Sequence, residues 1–139
     1  MRLIFVFFAI TALHFGCDSP TSSSNGTIGN PNVDTELEGT WKEKYGDITF
    51  IFTKNRFSFL MDSSELAFGS FSIDTTKNPK WIDMKAERYL IEPKYDGLTS
   101  LGVYTLNSNL LSLSFNEPGN NLRTHSVSDP VSFDLIRIK

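Results

Sequence analysis

His125-Ser126-Val127-Ser128-Asp129 is the densest set of chemistry-bearing side chains in the sequence: an imidazole, two hydroxyls and a carboxylate in one short run. A Ser/His/Asp hydrolase needs those groups hydrogen-bonded in series, with the nucleophile on a sharp turn. Gly-x-Ser-x-Gly is absent, and the run reads as a loop carrying a surface histidine. Asp83, Glu87 and Asp96 lack the fixed spacing of a calcium loop. A single cysteine excludes a Cys-based zinc centre and a disulfide framework within the monomer. The glycines are scattered, so no phosphate-cradling loop precedes a helix. These residues predict a non-enzymatic protein without metal or cofactor.

The charge balance narrows the partners. Lys+Arg 13 against Asp+Glu 16 gives a formal net charge of -3, without the positive excess of a nucleic-acid binder, so no nucleic-acid partner is expected. The sole thiol, Cys17, follows a different logic. Arg2 precedes a run from Leu3 to Phe15 that only Thr11 and His14 interrupt, and Gly16 then stands directly before the cysteine. That run falls well short of the ~20 apolar residues that span a bilayer and fits an export signal instead. It resembles a bacterial lipoprotein signal, in which a small residue precedes a cysteine that is acylated and becomes the mature N-terminus. Leu13 lies one position further from the cysteine than that pattern usually has it. The resemblance implies a signal peptide over 1–16, lipidation of Cys17 with chains such as palmitate, and a bacterial envelope protein held to the membrane through its N-terminal lipid. The other reading is ordinary secretion with a free thiol. Residues 17–34 are rich in Ser, Asn, Gly, Pro and Thr, bury too little apolar surface to order, and read as a flexible tether.

From residue 35 to 139 the texture changes. Ile48, Phe50 and Phe52 alternate with Thr49, Ile51 and Thr53; Lys54-Asn55 interrupts; Phe57, Phe59 and Met61 then alternate again, which is the pattern of a hairpin. Further runs occupy Glu36–Lys44, Gly69–Asp74, Trp81–Lys85, Arg88–Glu92, Leu98–Leu106, Leu110–Phe115 and Val131–Lys139, separated by residues that favour turns. The 139 residues, 40% of them hydrophobic, suffice for one such domain. The expectation is an all-β domain, a small antiparallel barrel of about eight strands.

Particular residues carry a further resemblance. Leu37-Glu38-Gly39-Thr40-Trp41 contains the Gly-x-Trp that opens the first strand of lipocalin-like barrels. The stretch from Gly69 to Met84, with Lys77-Asn78-Pro79-Lys80-Trp81-Ile82-Asp83 at its centre, and Gly102-Val103-Tyr104-Thr105-Leu106 resemble a lipocalin-like domain family first described from planctomycetes. Departures are Phe71 where the family has Tyr, Asn107-Ser108-Asn109 in place of an Asp-Gly-Asp turn, and Ser114 in place of Cys. The family brings no established activity, so the resemblance implies the fold alone. Lipocalin-like folds commonly pack the first-strand Trp beneath an Arg of the last strand, which implies a structural pairing of Trp41 with Arg137. Strand alternation puts Arg137 on the face of Phe133 and Leu135, inward if those two are inward; the inverted strand would bury Ile136 and Ile138 instead.

The barrel interior is the remaining candidate site. Phe50, Phe52, Phe57, Phe59 and Phe71 belong to one alternating set and can either fill a barrel of this size or line a pocket for one small apolar or amphiphilic ligand. The first arrangement suits a protein-interaction or inhibitor module and the second a binding protein. Tyr45, Tyr89 and Tyr95 lie at or near strand ends, where they suit a pocket mouth, a protein-contact patch or ordinary partial burial. Lys77 and Lys80 with Asp74 and Asp83 read either as a binding rim or as a solvated turn.

Overall fold

The computed structural model describes residues 36–129 and 131–138. Cys17 and the proposed tether lie outside these residues. Eight antiparallel strands follow in order: β1 (Gly39–Glu43), β2 (Ile48–Thr53), β3 (Arg56–Met61), β4 (Ser64–Asp74), β5 (Lys80–Tyr89), β6 (Thr99–Asn107), β7 (Leu110–Phe115) and β8 (Ser132–Arg137). Each pairs with the next, and β8 pairs back onto β1, so the sheet closes into a small lipocalin-like barrel with no open edge.

Alternation decides what faces inward. Trp41, Phe50, Phe52, Phe57, Phe71, Ile82, Met84, Tyr104, Leu111, Leu113 and Leu135 form one buried cluster, with Phe59, Phe115 and Phe133 packed against it. Two-residue turns join β2 to β3, β3 to β4 and β6 to β7. Asp62 and Ser63 connect β3 to β4 with φ of 50° and 65°, the two left-handed residues that a type I′ hairpin requires.

Two differences from the sequence reading have local causes. The Trp81–Lys85 and Arg88–Glu92 runs are not separate strands: β5 is continuous over Lys80–Tyr89, and Leu90–Glu92 belongs to the connection to β6 with a 3-10 turn at Pro93–Tyr95. The pairing of β4 with β5 shifts register between Phe68 and Gly69, leaving Glu87 without an opposite residue and breaking the alternation. At that bulge a Cβ on Gly69 would stand 1.9 Å from the carbonyl oxygen of Lys85, so the close approach that bends the sheet depends on glycine. β4 also begins earlier than its apolar run, because Ala67 and Gly69 hold the inward positions there and add little hydrophobic signal.

The strand register defines two ends. Residues 36–38 cross one end, where Leu37 is fully buried and plugs the barrel. The other end carries the connections 44–47, 62–63, 90–98 and 116–131. The last of these sets Pro118 at the mouth and then runs as a strap along the outer wall at Arg123. Its Arg123 donates from Nη1 to the carbonyls of Gly102 (2.7 Å) and Ile82 (3.2 Å) and from Nη2 to Asp83 (2.5 Å), and stacks 4.4 Å from the Trp81 ring centroid. Val103 and Ser114 point outward by strand alternation and are nevertheless buried, as expected for side chains beneath this strap.

Candidate apolar cup at the barrel mouth

Trp41 and Arg137 meet at the plugged end. The Arg137 guanidinium lies 4.4 Å from the Trp41 ring centroid and donates to the carbonyls of Glu38 (3.1 Å) and Glu36 (2.7 Å), while Trp41 Nε1 donates to the Leu37 carbonyl at 2.7 Å. Arg137 pairs directly with Trp41 across the β1–β8 seam, on the same strand face as Phe133 and Leu135. Together these contacts fasten residues 36–38 over the core, a structural role.

A second lock lies beside the first. Tyr104 Oη donates to Glu36 Oε1 at 2.7 Å, and Lys80 Nζ donates to both carboxylate oxygens at 2.7 and 2.9 Å. Burial pushes the Glu36 carboxyl up, but the bonds from Lys80 and Tyr104 and the Lys80 charge together outweigh it and leave Glu36 below its ordinary range. Burial first, then the Glu36 bond and its negative charge, push the Tyr104 hydroxyl far above the usual phenol range.

Above this sealed half the rings pack on one another. Phe52 meets Phe71 edge to face at 4.9 Å, and Phe50 stacks on Phe59 at 4.9 Å while turning its edge to Phe133 at 5.6 Å. Between the Phe50 layer and the mouth a cup of about 40 Å³ remains. That is room for the last few carbons of an apolar chain, given roughly 10–15 Å³ for one water on the same measure. Phe50, Phe57 and Met84 line it from below. Phe59, Ala67, Ala86, Ser100 and Phe115 form its walls, and Tyr89 and Pro118 its rim. Of the five phenylalanines singled out in the sequence, Phe50, Phe57 and Phe59 line the cup; Phe52 and Phe71 do not, and belong to the filled half.

The mouth is aromatic and unusually apolar at its margin. Tyr95 packs edge to face on Tyr89 at 5.3 Å, Tyr45 is 89% exposed in the β1–β2 connection, and Leu90 and Ile91 are 51% and 60% exposed beside Tyr89. Burial, and secondarily the charge of Glu92, push the Tyr89 hydroxyl above its ordinary range.

The other chemistry-bearing residues go elsewhere. Asp129 accepts the backbone N–H groups of His125 (3.0 Å) and Ser126 (3.3 Å), and the Ser126 and Ser128 hydroxyls bond each other at 2.8 Å, so this run shapes a loop. Asp83 is held by Arg123, Glu87 by Arg56, and Asp96 by the backbone N–H of Tyr89 at 2.6 Å. Among the described residues no group of three His, Cys, Asp or Glu side chains has metal-ligand geometry. Lys77, Lys80, Asp74 and Asp83 likewise go to different partners: Lys77 to the Trp81 ring, Lys80 to Glu36, Asp74 to Thr76 and Asp83 to Arg123.

Sequence reasoning passed over Arg123, the Glu36–Tyr104–Lys80 lock and the small cup residues Ala67 and Ala86. It also left Phe115 out of the candidate lining, although the Leu111/Leu113/Phe115 alternation carried the signal for its inward placement. Set against known proteins, the chain has no matching family model and no significant match among curated proteins or solved structures.

Proposed function

We propose that this chain is a lipid-anchored protein of the bacterial envelope whose barrel holds the apolar end of a small amphiphile, without catalysis. The observation that carries the reading is the cup: an opening walled by apolar side chains at the end of the barrel opposite the Leu37 plug, left open by the described residues. Its volume of about 40 Å³ suits a chain end and leaves the remainder of the ligand at the mouth. Anchoring rests on the Gly16-Cys17 signal, and the resemblance to the planctomycete-described family supports the barrel and adds no activity.

The test is native mass spectrometry of the full protein purified from its own envelope, beside the Ala86→Leu variant, whose added carbons fill the cup at an overpacking cost of about 1–3 kcal/mol. A retained small molecule on the parent that is lost from a folded variant supports the reading. A stoichiometric protein partner on both favours the second reading, an interaction module, for which the exposed Leu90 and Ile91 at the mouth are the supporting observation.

A further inference from the structure

The cup is mostly apolar, and Ser100 and Tyr89 are the hydroxyl-bearing residues among those that line it. A charged headgroup therefore stays at the rim, because burying it unpaired is strongly unfavourable. The rim carries more acidic than basic side chains. The strand ends and connections around the mouth carry Glu43, Asp47, Asp62, Glu65, Glu92, Asp96, Glu117 and Asp129 against Lys42, Lys44, Arg88, Lys94 and Arg123, and Arg123 is turned to the outer wall. Asp47, Asp62 and Glu65 form no ion pair among the described residues.

The protein already places an ammonium group at this rim. Lys94 Nζ lies 4.6 Å from the Tyr95 ring centroid and 2.9 Å from Glu92 Oε2. Tyr95 packs on Tyr89, and Tyr89 lines the cup. An aromatic face beside a carboxylate is the chemistry that recognises alkylammonium groups. On the far side of the mouth, Lys44 Nζ is held over Tyr45 in the same manner at 4.9 Å.

From this geometry we infer that the amphiphile is cationic: an alkyl chain in the cup, with its ammonium group beside Tyr95 and Glu92 in the position that Lys94 otherwise fills. The inference rests on the apolar-chain reading above. Lys94 is then a competitor for the headgroup site, and its removal strengthens binding.

The test is calorimetric titration of the full protein with decylammonium, decyl maltoside and decyl sulfate, each below its micelle concentration. Decylammonium should bind about fivefold tighter than the neutral maltoside at low salt, and the sulfate more weakly than either. Salt at about 1 M should remove most of the difference, since the screening length falls to roughly 3 Å. Lys94→Ala should widen the preference and Glu92→Gln should narrow it; both side chains are largely exposed, so neither change threatens the fold. Equal affinity for the three headgroups overturns the cationic assignment and leaves the chain reading intact. No binding of any decyl compound overturns the chain reading itself. A basic Leu/Lys peptide that binds where decylammonium does not would overturn both in favour of a protein partner.

Discussion

Arg137→Ala is the perturbation whose magnitude follows most directly from the structure. The guanidinium makes two hydrogen bonds to backbone carbonyls, at 3.1 and 2.7 Å, and one stack at 4.4 Å on a fully buried indole. Hydrogen bonds from charged donors contribute about 1.5–3 kcal/mol each, and a partly desolvated cation–π contact about 1–2 kcal/mol. Water can reach the Glu36 and Glu38 carbonyls once the side chain is gone, so the net loss should be about 2–3 kcal/mol, well above the roughly 0.5 kcal/mol of a surface site. Trp41→Leu keeps an apolar group in place and removes the π face, and the double variant closes a cycle. Urea unfolding followed by far-UV circular dichroism measures all four proteins without depending on tryptophan emission. The coupling energy should be about 1 kcal/mol. A coupling indistinguishable from zero, or an Arg137→Ala loss within about 0.5 kcal/mol of the parent, would show that Arg137 does not clamp residues 36–38 over the core.

Ser63→Gly should stabilise the protein by about 0.5–1 kcal/mol, because it turns the left-handed Asp62-Ser63 pair into the favoured Asp-Gly of a type I′ hairpin; a rise in the urea midpoint at unchanged slope checks it. Glu36 titrates lower in the folded protein than in the unfolded chain, so its contribution is present above the ordinary glutamate range and is lost as pH falls through the lowered value. Glu36→Gln should therefore flatten the acid side of the stability profile below about pH 4.5, measured by urea unfolding at stepped pH. Tyr104 has the opposite sign: its raised value means stability present below about pH 10 and lost as pH rises further, and Tyr104→Phe should remove that alkaline slope. Cys17→Ala should move the protein out of the detergent phase in a partitioning assay, since acyl chains contribute roughly 0.8 kcal/mol per buried CH₂; unchanged partitioning of a correctly processed variant would contradict lipidation.

The barrel was legible because its alternation is strong where large residues hold the inward positions. Phe50/Phe52, Phe57/Phe59 and Leu111/Leu113 each mark a strand and its buried face without help from the rest of the chain. The pattern faded where the inward residues are Ala67, Gly69 and Ala86, and those small side chains are what open the cup and bend the sheet. A pocket is made by missing volume, which leaves little trace in a hydrophobic pattern. Arg123 was invisible for another reason: two of its partners are backbone carbonyls on β5 and β6, which any residue type supplies, and the other two, Asp83 and Trp81, lie some forty residues away in sequence. Leu37 reads as an ordinary apolar residue ahead of the first strand, and only barrel closure shows that it plugs the end. Trp41 with Arg137 was accessible through resemblance, since the two lie on the first and last strands and meet only when β8 returns to β1.

Occupation of the cup can be read residue by residue from methyl NMR of the full protein titrated with decylammonium and decyl maltoside. The methyl groups of Met84, Ala67 and Ala86 should shift progressively with either chain, and those of Leu37 and Leu111 at the plugged end should stay in place. Stationary Met84, Ala67 and Ala86 signals at saturating decyl chain, or shifts confined to Leu90, Ile91 and other outer residues, would mean that the barrel does not take an apolar chain at its mouth.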